Sequence, residues 1–109
     1  MKIVVAIMHG DDADDCIEAL ADRGIPTTRL DSRGGFLHKG NATLLCGVSE
    51  TQVEALMGIL REHSKNRTEI LTPMPPIVEP GDVYVPYPLE VEVGGAVVFV
   101  LDVERFEKL

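Results

Sequence analysis

"KIVVAIMHGDDADDCIEALADRG", residues 2–24, holds a strand and a helix with almost no linker between them. Residues 2–8 form a short apolar run rich in β-branched side chains, the signature of a buried strand. The run stops at His9-Gly10, after which Asp11 and Asp12 offer N-cap oxygens for a helix. Ala13, Cys16, Ile17 and Leu20 then recur at i, i+3, i+4 and i+7, one apolar stripe of an amphipathic helix. Gly24 follows as a C′ residue, and Ile25-Pro26 blocks any continuation.

Working outward, "TTRLDS" (residues 27–32) reads as a strand, "RGGFLHKGN" (33–41) as a glycine-rich loop and "ATLLCGV" (42–48) as the next strand. Ser49 and Gln52 have capping-box spacing, and Val53, Leu56, Met57 and Leu60 repeat the helical stripe. "RTEILT" (67–72) is a short strand. "LEVEV" (89–93) alternates cleanly, and Gly94-Gly95 predicts a two-residue primed turn that makes a hairpin with "AVVFVLDV" (96–103). The order is β-α-β-β-α-β with an added strand or two. It predicts a single α+β domain over residues 1–109, ferredoxin-like, with helices on one face of an antiparallel sheet. "KIVVAIM" and "AVVFVLDV" are apolar at nearly every position, so both sheet faces are expected to be buried, and two helices cover only one. The second face is therefore expected to pack against other copies of the chain.

Composition narrows the function. No apolar run reaches the roughly 18 residues of a membrane span, and the N-terminus lacks the length and cleavage site of a signal peptide, so a cytoplasmic protein is expected. Cys16 and Cys46 lie in apolar patterns outside any CxxC and read as buried, unreactive thiols. A net charge of −8 argues against nonspecific nucleic-acid binding and against an anionic membrane surface. Residues 23–40 depart from this balance, with Arg23, Arg29, Arg33 and Lys39 against Asp31 alone. Such a basic island suits either a small anion or an ordinary solvated loop.

Within that island, Phe36 and Leu37 stand on a segment whose Gly34, Gly35 and Gly40 permit positive φ and close backbone approach. The pair has three possible fates: packing on its own subunit, burial at a subunit interface, or a stacking platform for a planar ligand. An aromatic ring can stack on a base, and the Asn41 amide can bond an adenine edge. Thr28 ends the preceding strand, and Gly47 interrupts the following one where a close approach would need it.

"GGFLHKGNATLLCGV", "YVPYPLEVEVGGAVVFVL" and "MKIVVAI" closely resemble the PII-like cyclic di-AMP receptor family, end to end. The resemblance implies a PII-like homotrimer that binds three cyclic di-AMP molecules between subunits. The loops would then be presented to an unidentified protein partner. It also implies a signal receptor rather than an enzyme, with no cofactor beyond the ligand. Family contacts fall on Thr28, Gly35, Phe36, Leu37, Asn41 and Gly47, with Phe99 closing the wall. Phe36 would stack on one adenine while Asn41 and Thr28 bond its edge. Two positions depart from the family pattern: Pro26 stands where relatives carry a phosphate-contacting arginine, and Lys108 where a glutamine is common. Arg29 is not expected to replace that arginine, because positions 26 and 29 would face opposite sides of a strand. Lys108, and Lys39 with it, are expected to neutralise phosphate instead. The alternative is an interaction protein of the same fold that senses ATP, ADP or no nucleotide.

Other chemistries find little support. Asp11, Asp12, Asp14 and Asp15 lack EF-hand spacing and are explained by a helix N-terminus, so no metal is expected. His9, His38 and His63 share no ligand spacing, although His38 lies in the loop. No Ser-His-Asp or Cys-His arrangement, Walker loop or dinucleotide fingerprint occurs. Residues 72–88 hold six prolines in seventeen positions, with Tyr84 and Tyr87 among them. This stretch reads either as a partner-docking surface or as a lid over the sheet edge.

Overall fold

The computed structural model describes residues 1–32, 40–71 and 89–109, without the side chains of Ser32 and Leu71. The chain runs β1 (Lys2–His9), α1 (Gly10–Asp22), β2 (Thr28–Ser32), β3 (Asn41–Val48), a 3₁₀ turn (Glu50–Gln52), α2 (Val53–Ser64), β4 (Arg67–Leu71), β5 (Leu89–Val93) and β6 (Ala96–Asp102). Four strands form an antiparallel sheet in the order β2-β3-β1-β6. The two helices pack on each other across one face of it. This is the α+β arrangement expected, and it fits a ferredoxin-like fold whose last core strand is β6.

Local chemistry explains the boundaries. Gly24, at φ 71°, donates its N–H to Ala21 O at 2.9 Å while Ile25 N–H reaches Leu20 O at 2.9 Å, and Ile25 is buried behind the turn. Those two bonds are the Schellman pair that ends α1. Ser49 N–H donates to Gln52 Oε1 at 3.0 Å, the capping-box bond read from the spacing, but it caps the 3₁₀ turn that leads into α2, whose own N-cap is Gln52. The N-cap of α1 is different from the expectation. Its cap is His9, while Asp11 and Asp12 sit inside the first turn, where their charge suits the helix dipole.

Period-two burial along β1 and β3 sends Val4, Ala6, Met8, Ala42, Leu44, Cys46 and Val48 towards the helices. There they meet Cys16, Leu20, Leu56 and Leu60 to make the core. Both cysteines are buried and unpaired with each other. Burial pushes the Cys16 thiol up to about 11, with the charges of Asp12 and Asp15 adding to it; burial also raises Cys46. Because the folded Cys16 thiol holds its proton more tightly than the unfolded one, its contribution to stability is fully present below the ordinary value of 9.0 and is lost as pH climbs through about 11. At neutral pH both thiols are expected to react with a disulfide reagent only as fast as the chain unfolds. Rapid stoichiometric labelling of the native protein would contradict this placement.

The expected hairpin between residues 89–93 and 96–103 does not form. β5 pairs with β4 in a separate two-stranded ribbon, while β6 pairs with β1. Gly94 and Gly95 do take positive φ, 86° and 84°, but they carry the chain from one sheet into the other. A Cβ at Gly94 would come within 2.5 Å of Lys65 O, so this crossing lies tight against the end of α2. β4 leaves α2 after only Lys65 and Asn66, and it reaches β5 first as a partner. The base of the ribbon is tied to α1: Asp12, buried, receives the Arg67 guanidinium at 3.1 Å and 3.4 Å. That bond raises the Arg67 pKa above its ordinary value.

Candidate functional site

Sheet register decides where the expected binding residues lie. Thr28 pairs with Leu45, Leu45 with Val5, and Val5 with Phe99, so the four side chains share one rung and one face. Asn41 and Gly47 stand on β3 at even spacing from Leu45, which puts them on that face too. It is the face away from α1 and α2. Thr28, Asn41, Gly47 and Phe99 are therefore together on the side of the sheet that the helices leave uncovered. Gly35, Phe36 and Leu37 lie outside the described residues, as do Arg33, His38, Lys39, Tyr84 and Tyr87.

Within this face the residues form two groups. Asn41 is only 5% exposed and opposes His9 at one end, beside the exit of the 33–39 segment. Thr28 and Gly47 are exposed at the other end, separated from Asn41 along β3 by about 14 Å and about 20 Å at roughly 3.3 Å per residue and 4.8 Å per strand. One adenine edge cannot take both Thr28 and Asn41 from the same copy of the chain. Phe99, 44% exposed on the edge strand β6, stands three strands from Thr28 on the opposite edge strand. It closes no wall beside Thr28 within one copy. β6 ends at Asp102, opposite Lys2, so the tail that follows leaves from the Gly47 end; Lys108 is exposed on it. Lys2 hydrogen-bonds Asp102 there, which holds that carboxyl below its usual range.

Arg29 is on the other side. It packs towards the helix face, bonded to Asp31 at 3.0 Å and to Asp14 of α1, and chiefly the Asp31 bond raises its pKa. Pro26 precedes β2 rather than lying in it, so strand parity is not what separates the two positions. Arg29 is held by two carboxylates instead. Asp12 and Asp14, two of the four clustered aspartates, are likewise occupied by Arg67 and Arg29.

Gly10 is a residue whose part only the structure reveals. Its N–H donates to Gly40 O at 2.5 Å, and a Cβ at Gly10 would stand 2.6 Å from that same oxygen. The start of α1 thereby clamps the residue just before Asn41. Gly40 itself has φ 83°. The sequence signals this only as a glycine at a strand-to-helix junction. A recess of about 360 Å³ between α2 and β6, lined by Met57, Leu60, Arg61, Ala96 and Val98, opens on the helix side. The sheet separates it from the four residues above.

A family model described as a cyclic-di-AMP receptor matches residues 1–109. The chain belongs to the cyclic-di-AMP receptor family. A solved structure, described as a functionally unknown protein from Pediococcus pentosaceus, is similar over 99% of this chain and 96% of its own, at 35% identity and a TM-score of 0.79. That likeness shows the same fold in a second chain of comparable length. Among the described residues of this cyclic-di-AMP receptor family member, no helix is long and apolar enough to cross a membrane.

Proposed function

We propose that this chain is a PII-like receptor that binds cyclic di-AMP in clefts between the subunits of a homotrimer and relays occupancy through residues 33–41 and 72–88 to a protein partner. The observation that carries the reading is the division of the candidate site residues between two ends of the sheet face that the two helices do not cover, in a chain that matches the receptor family throughout. A single adenine cannot bridge Thr28 and Asn41 of one copy. A ligand with two adenines, held where two copies meet, can use both. The face also has the apolar side chains an interface needs: Ile3, Val5 and Ile7 half-buried, Leu101 50% exposed. Phe99 on β6 of one copy would then approach the β2 edge of the next. Phe36 would stack on a base and Lys108, with Lys39, would meet phosphate, in place of the arginine that Pro26 displaces.

Titration calorimetry with cyclic di-AMP, against cyclic di-GMP and ATP, tests this directly. Saturable binding of cyclic di-AMP alone, one per subunit, is the expected result. Asn41→Ala is expected to weaken it about 5- to 150-fold, the range of one lost bidentate base contact. Lys108→Ala is expected to weaken it less and to flatten its salt dependence. Pro26 favours a second reading, an adenine-nucleotide sensor whose pocket has drifted. Preference for ATP in the same titration would establish that one instead.

A further inference from the structure

We infer that the outer edge of β5 is a docking edge for an extended segment of a partner protein, one whose side chains alternate between apolar and basic. This deepens the partner half of the reading above and rests on that half alone. Among the described residues β5 pairs only with β4, which leaves one row of its backbone N–H and C=O groups without a neighbouring strand. A two-stranded ribbon is marginal by itself, so a third strand would gain both backbone bonds and side-chain cover.

The side chains specify what that strand must carry. Leu89, Val91 and Val93 line one face of β5, and Glu90 and Glu92 the other. Leu89 is 51% exposed. Glu90 and Glu92 have no ion-pair partner among the described residues, and the sequence contains no Lys or Arg from residue 68 to residue 104. An incoming strand therefore meets apolar positions on one face and carboxylates on the other, in strict alternation. A second copy of β5 fits poorly, because antiparallel pairing about Val91 sets Glu90 against Glu92 and repels. Arg67, the cation at the base of the ribbon, is already occupied by Asp12, so it does not neutralise the edge.

The probe is a synthetic octapeptide alternating lysine and valine, titrated into the isotopically labelled full chain and followed by amide NMR shifts. Expected are saturable shifts concentrated on residues 89–93, loss of at least about tenfold in affinity for Glu90→Lys/Glu92→Lys, and no shifts with a glutamate–valine peptide. Glu18→Lys/Glu62→Lys makes the same change in net charge on exposed helix positions and is expected to bind the peptide within about twofold of the wild type. Shifts scattered over the acidic surface, or equal weakening by both double variants, would overturn the inference. So would protection of the β5 amides in the free protein that depends on its concentration, since a second copy would then be the occupant. Cyclic di-AMP titrated into the same samples reads the receptor function separately.

Discussion

Replacing Leu44 with alanine is expected to lower the stability of the chain by about 2 to 5 kcal/mol. Leu44 is fully buried at the centre of β3, paired with Ala6 on one side and Arg29 on the other, and it points into the layer beneath the helices. Truncation there leaves a void that two strands and two helices cannot all close on. Urea titration gives the loss as a shift in midpoint at nearly unchanged slope. Leu101→Ala is the informative partner because Leu101 lies on the face opposite the helices. If copies of the chain cover that face, its cost grows with protein concentration, as mass action requires. A Leu101→Ala effect that is small and independent of concentration would remove the basis for a trimer built on this face, whatever happens at Leu44.

On the proposed reading, Gly10→Ala is expected to weaken ligand binding although Gly10 is not one of the proposed contacts. The new methyl group would overlap the Gly40 carbonyl at 2.6 Å, and a backbone oxygen cannot rotate away as a side chain can. Overpacking of this kind costs about 1 to 3 kcal/mol. The strain falls on the hydrogen bond from Gly10 to Gly40, one residue before Asn41. Cyclic di-AMP affinity should therefore fall along with stability. Gly58→Ala serves as the control, since a Cβ there meets nothing within 4 Å on a helix, and a gain of up to about 1 kcal/mol is expected. Calorimetry of both variants decides the matter. Unaltered affinity in a folded Gly10→Ala protein would mean that the clamp positions nothing the ligand uses.

Most elements were legible in the sequence, and so was the family. The helical stripes at Ala13–Leu20 and Val53–Leu60, the Gly24 stop and the Ser49–Gln52 cap are set by interactions within a few residues. Apolar patterning of "KIVVAIM" likewise gave β1 within one residue of its observed end. The candidate binding positions were named by resemblance, and their types could be read for chemistry, but not their separation.

Pairing between distant segments escaped local inspection. Gly94-Gly95 suits a primed hairpin turn, and its positive φ values agree with one, yet β6 joins β1 because the central sheet offers a long apolar strand and the helix layer beneath it. β5, half charged, is left to β4. Register then distributed Thr28, Asn41, Gly47 and Phe99 over a single face with about 14 Å or more between its groups, a consequence of strand order that no spacing along the chain encodes. Asp12 with Arg67 and Gly10 with Gly40 are of the same kind. The sequence alone determined the helices, strands and stops, because nearest neighbours fix those. Tertiary structure alone decided which strand lies beside which, and so which residues can meet one ligand, because those contacts join parts of the chain that are far apart until it folds.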